Sequence, residues 1–111
     1  MEIEKRKNPR VDFGITVLLG GKCGKTKDIS SNGTFIKKDE WDQNLKLSPI
    51  GSEVDLSFVF PTSKDYIDVK GIVVHHGKNN EGVGIWFEKI EERNKEFIKQ
   101  FIAKYLWAIR D

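Results

Sequence analysis

Val11-Asp12-Phe13-Gly14-Ile15-Thr16-Val17-Leu18-Leu19-Gly20-Gly21 is the stretch that decides the fold. Val11, Phe13, Ile15, Val17 and Leu19 alternate with Asp12, Gly14 and Thr16. A period of two marks a strand with one buried face. Gly20-Gly21 then supplies the flexible pair favoured in two-residue hairpins, and a second strand returns over about Lys22 to Ser30. With the glycines as the turn, Leu19 faces Lys22 and Phe13 faces Asp28. Extending that ladder brings Arg10 near Ser31.

Outward from this hairpin the pattern repeats. Asn32-Gly33 is a second turn signal, leading into Thr34-Phe35-Ile36. Residues 37–52 are polar, with Pro49 and Gly51, and form a long connection that Trp41, Leu45, Leu47 and Ile50 are expected to pin down. Val54, Leu56, Phe58 and Phe60 share one face of a fourth strand, Tyr66 to His76 is a fifth, and Val83, Ile85 and Phe87 mark a sixth. The period then changes. Phe97, Ile98, Phe101, Ile102, Tyr105, Leu106 and Ile109 fall on one side of a helical wheel, predicting a helix over about 91–109. Glu91, Glu92 and Glu96 lie near its start and Arg110 at its end, as the helix dipole favours. The expected fold is all-β with a C-terminal helix, a six-stranded antiparallel β-barrel; closure is favoured because it removes exposed strand edges. Residues 1–10 form a basic N-terminal arm and residues 11–111 the barrel and helix, a single domain overall.

Composition agrees with this picture. The chain has 111 residues, 38% hydrophobic and 32% charged, as in soluble globular proteins. No apolar run approaches the roughly 18 residues of a membrane span, and Met1 to Arg10 lacks the apolar core of a secretory signal. Cys23 is the single cysteine, which excludes disulfides and Cys-rich zinc sites. A cytoplasmic protein is expected. The net charge is only +2, but residues 1–27 hold seven basic and three acidic side chains, a local +4. A basic end on a nearly neutral protein suits a compact dianion rather than a long nucleic acid.

Enzyme and metal chemistry find little support. His75 and His76 are adjacent in a strand, so their side chains point to opposite faces. Asp39, Glu40 and Asp42 read as a solvated acidic turn, and there is no GxSxG, Walker A or GxGxxG motif. No catalytic residue, metal or cofactor is expected.

Two patterns remain. Arg6-Lys7-Asn8-Pro9-Arg10 places two arginines four apart in an extended segment, since Pro9 disfavours helix at Asn8. Asp28-Ile29-Ser30-Ser31-Asn32-Gly33 is a DxSxxG turn, whose bland reading is a hairpin with local side-chain hydrogen bonds. The first hairpin brings the two together. Guanidiniums bind phosphates bidentately and donate to guanine O6 and N7. A carboxylate accepts from the N1–H and N2–H edge of guanine, and hydroxyls and turn N–H groups suit phosphate oxygens. A small, doubly charged, guanine-bearing ligand would use all of these groups.

Arg6-x-x-x-Arg10 followed by Asp28-x-Ser30-x-x-Gly33 resembles the signature of PilZ domains, bacterial receptors for cyclic di-GMP. The resemblance extends through Pro49-Ile50-Gly51-Ser52-Glu53-Val54, Val69-Lys70-Gly71-Ile72-Val73-Val74 and Gly82-Val83-Gly84-Ile85-Trp86-Phe87. It implies a six-stranded PilZ-type barrel with the ligand on its outer surface. Arg6 and Arg10 would wrap across that ligand, and Asp28, Ser30 and Gly33 would form the floor. Lys5, Lys7, Asn32 and Trp86 are further candidates. Asn32 stands where the family often has glycine, and its tolerance of left-handed dihedrals is expected to preserve the turn. Lys5, just before the first arginine, leaves open whether one ligand or an intercalated pair binds.

Trp86 is expected to point out of the barrel, either as an aromatic wall for a guanine or packed beneath the helix or the long connection. Trp107 lies opposite the apolar helix stripe, where it meets a partner or second subunit or packs at the helix end. The function implied is a non-enzymatic receptor or adaptor in which ligand orders the arm and signals to an unidentified effector protein, with a ligand-linked dimer possible. The alternative is a PilZ-like protein-interaction module that does not bind nucleotide. An oligonucleotide-binding barrel is a third reading, disfavoured by the small net charge. Membrane insertion is not expected.

Overall fold

The computed structural model describes residues 14–19, 22–37, 48–61 and 63–108. Within them run β1 (Thr16–Leu19), β2 (Lys22–Ile29), β3 (Gly33–Lys37), β4 (Glu53–Val59), β5 (Ile67–His75), β6 (Gly82–Lys89) and α1 (Glu92–Ala108). The strands close into an antiparallel barrel in the order β1-β2-β3-β6-β5-β4, with β4 returning to β1. The first hairpin has the expected register: Leu19 pairs with Lys22 and Thr16 with Lys25. The pairing continues past β1, where Ile15 N–H donates to Thr26 Oγ1 at 3.0 Å and Thr26 N–H to the Ile15 carbonyl at 3.0 Å. Val11, Phe13 and Arg10, and with them the expected Phe13–Asp28 pair and the placing of Arg10 beside Ser31, lie outside the described residues.

Alternation sorts the strands into two faces. Val17, Ile29, Ile36, Phe58, Val73, Val83 and Ile85 point inward and are essentially sealed from solvent. Helix α1 caps one end of this core. Ile98 and Ile102 are buried against it, and Phe60 meets Phe97 and Phe101 edge-on at centroid distances of 5.2 and 4.9 Å. Edge-to-face geometry sets the positive rim of one ring on the negative face of the next. Glu91 opens the helix, its carbonyl accepting from Asn94 and Lys95 N–H.

Two expectations need correction. Leu106 is not part of the buried stripe; it is 37% exposed, and Tyr105 beside it is the residue of that turn that packs against the core. Ile50 does not pin the long connection, being 60% exposed. The backbone does that work instead: Gly51 N–H donates to Val73 O and Val73 N–H to Ser52 O, at 2.7 and 3.0 Å. The turn is closed by Ser52 Oγ–H on Pro49 O and by Gly51 at φ 92°. Trp41, Leu45, Leu47 and Ile109 lie outside the described residues. Among the described residues no helix is long and apolar enough to cross a membrane.

Candidate functional site: a groove on the outer face of the barrel

The turn joining β2 to β3 is built by Ser30. Its backbone N–H donates to the Gly33 carbonyl at 2.9 Å, and its Oγ accepts from the N–H groups of Asn32 and Gly33, each at 3.2 Å. The bland expectation for DxSxxG, local turn hydrogen bonding, therefore holds for Ser30. Both acceptor sites of the hydroxyl are used, while its proton has only a long 3.4 Å contact to Gly33 O. Asn32 departs from expectation in one respect. Positive φ among the described non-glycine residues occurs at Asn79 and Asn80, not at Asn32, so this turn asks for no left-handed tolerance. The Asn32 carbonyl instead accepts from Phe87 N–H at 2.8 Å, tying the turn to β6. Gly33 is required for close approach: a β-carbon there would lie 2.5 Å from the Ile85 carbonyl oxygen.

Asp28 reaches the outer face through an irregularity of the ladder. Thr26 pairs with Ile36 and Asp28 with Phe35, so Lys27 is one residue extra. Thr26, Gly24 and Val17 belong to the inner face. Strict alternation would turn Asp28 inward with them, and the bulge reverses its side. Thr34 Oγ1 then donates to the Asp28 carbonyl at 2.6 Å and fixes that backbone. A second bulge in β5, between Val73 and His75, turns His75 outward opposite Gly84.

Two rows of outward residues result. One runs Asp28, Phe35, Gly84, His75 across β2, β3, β6 and β5, and the next runs Gly33, Trp86, Ile72. Between them lies an open groove of about 540 Å³. Asp28, Ser30, Asn32, Gly33 and Trp86 all line it. Trp86 is 69% exposed, so it points outward as expected and is not packed beneath α1 or any other described element. The arm residues Lys5, Arg6, Lys7 and Arg10 lie outside the described residues, as does the side chain of Trp107.

Phe35 and His75 also line the groove, although nothing in the sequence patterns singled them out. Their rings stack at 5.6 Å and 19°, with Lys27 Nζ 5.8 Å from the Phe35 centroid. Gly82 and Gly84 make room for them: a β-carbon at either would fall on the Phe35 ring or the His75 imidazole. The signal was available in Gly82-x-Gly84-x-Trp86, which puts two bare positions and one indole on a single strand face. His75 and His76 do diverge, but β5 ends at His75, and His76 Nε2 sits 2.7 Å from the Ser48 carbonyl. No group of three metal-ligating side chains occurs among the described residues.

Chemically, the groove offers a carboxylate, a hydroxyl proton, an exposed indole and flat glycine backbone within one opening. That set suits a planar, hydrogen-bonding ring.

Comparison with known proteins bears on this arrangement. Among solved structures, the Bacillus subtilis inhibitor of motility (MotI/DgrA) shares the fold with a TM-score of 0.78 at 14% identity, over 96% of this chain and 53% of that one. The chain therefore spans about half of that protein's length. No curated protein matches the chain. The PilZ domain model matches residues 4–104, a span running from the arm to the last turns of α1 and holding both the bulged DxSxxG strand and the groove it borders. The chain belongs to the PilZ domain family, a family of cyclic di-GMP receptors.

Proposed function

We propose that this chain is a non-enzymatic receptor for cyclic di-GMP, acting in the cytoplasm. Asp28, Ser30, Gly33 and Trp86 receive the ligand, and Arg6 and Arg10 close over it. The observation that carries this reading is the bulge at Lys27, which turns Asp28 into the same outer groove as the Ser30–Gly33 turn and the indole of Trp86. Asp28 accepts from the N1–H and N2–H edge of a guanine, Ser30 donates its hydroxyl proton, and Trp86 supplies a stacking face. The guanidiniums come from the arm, which holds four of the seven basic side chains among residues 1–27. They bind the phosphates in bidentate fashion. Lys5 and Lys7 add charge beside them, and Asn32 borders the turn.

Ordering of the arm changes the surface offered to an effector protein and so carries the signal. Titration calorimetry tests the reading. Cyclic di-GMP binds the native chain, and Arg6→Ala or Arg10→Ala each weakens it at least tenfold, about 1.4 kcal/mol. Ligand at about 100 times its dissociation constant adds roughly 2.7 kcal/mol of stability and raises Tm accordingly. Unchanged titrations in both arginine variants would overturn the role of the arm, and a Tm indifferent to the ligand would favour the protein-interaction module instead. Mass measurement with and without ligand separates one bound molecule from a pair, and monomer from dimer.

A further inference from the structure

The far side of the groove carries a polar group that the PilZ signature does not use. His75 is exposed, yet its ring is held from three directions. The bulge after Val73 turns it outward, Phe35 stacks on it at 5.6 Å, and it lies flat on Gly84 where a side chain would otherwise stand. Its tautomer is set as well. Gly77 N–H donates to Nδ1 at 3.0 Å, so the neutral ring carries its proton on Nε2. Nε2 sits over Gly84, on the groove floor. Trp86 is two residues along the same strand face, about 6.7 Å away by strand rise. Counted from Gly84, beneath Nε2, Asp28 is two strands across in the same row, about 9.5 Å by strand spacing.

Such an arrangement is a reading device. Resting on the cyclic di-GMP reading above, we propose that His75 is a specificity-determining residue, donating its Nε2–H to O6 of a guanine stacked at Trp86. In guanine the O6 acceptor adjoins the N1–H that a carboxylate takes, so Asp28 and His75 read neighbouring atoms of one base from opposite sides of the groove. Adenine presents an amino group in place of O6. Two donors would then face each other, and the base would be rejected. Glycine at 84 is part of the device, since any side chain there displaces the imidazole.

Two replacements separate donation from mere shape. In His75→Asn the amide oxygen can replace Nδ1 as the acceptor for Gly77 N–H, but nothing reaches the position of Nε2. In His75→Gln an amide N–H does reach it. Calorimetry with cyclic di-GMP and cyclic di-AMP on the native chain and both variants is the test, with thermal melting to verify folding. Expected are a loss of about tenfold for cyclic di-GMP in the Asn variant, retention of most affinity in the Gln variant, and no loss towards cyclic di-AMP in either. Equal cyclic di-GMP affinities in the two variants, or a loss shared by both ligands, would overturn the role of His75 and leave the receptor reading standing. A native chain that ignores cyclic di-GMP overturns both.

Discussion

The inner and outer faces of β3 and β6 are made by alternate residues of the same two strands, yet they obey different rules. Inside, Ile36, Val83 and Ile85 are sealed and interchangeable in kind: aliphatic volume filling a closed space. Outside, the same strands present Gly33, Phe35, Gly82, Gly84 and Trp86, where size falls to nothing at some positions and is maximal at others. A core needs filling, whereas the outer face of this barrel is a relief, with glycines as its low points and aromatic rings as its walls. Exposure separates two large aromatics accordingly: Phe58 is fully buried and Trp86 is 69% exposed.

That contrast can be broken or sharpened by substitution. The largest effect belongs to the inner face. Phe58→Ala removes a ring packed against Phe60 and Phe87, at 6.0 and 5.7 Å, and is expected to cost about 3–5 kcal/mol in denaturant unfolding. Next comes the seam where β2 leaves regular alternation. Thr26→Val keeps the shape but removes the oxygen that accepts the buried N–H of Ile15, and a loss of about 1–3 kcal/mol is expected by the same measurement. The smallest effect on stability belongs to Trp86→Ala, within about 0.5 kcal/mol of the native chain. Cyclic di-GMP affinity in that variant should nonetheless fall by about tenfold, the scale of one lost stacking face. A Trp86→Ala chain that unfolds as readily as Phe58→Ala would show that the two faces do not divide the labour in this way.

Much of the architecture was legible in the sequence, because a period of two and a change to a helical period are local signals. The first hairpin's register followed from Gly20-Gly21, and the pairing of Leu19 with Lys22 agrees. The DxSxxG turn, with its closing Gly33, and the outward direction of Trp86 were legible too. The two bulges were not. A bulge is settled by how many residues the partner strand places opposite, and no window of sequence around Lys27 or Val74 contains that count. Hence His75, which the second bulge turns into the groove's row, and Phe35, which the first bulge sets opposite Asp28, went unmarked, while Asp28 was marked only through its motif. Ile50 misled for a related reason: an apolar residue in a connection reads as an anchor, but here backbone hydrogen bonds to Val73 hold the segment.

The pairing of β3 with β6 also governs when the groove can exist. Gly33 meets Trp86 across a long stretch of chain, and His75 rests on a glycine of the last strand. Such distant contacts carry the loop-closure entropy that slows β-rich folding. A nascent chain ending before Gly82 has the turn, the carboxylate and the imidazole but neither floor nor wall. On the receptor reading proposed above, ligand recognition waits until the sixth strand has docked, and a bound dinucleotide would report that the barrel has closed.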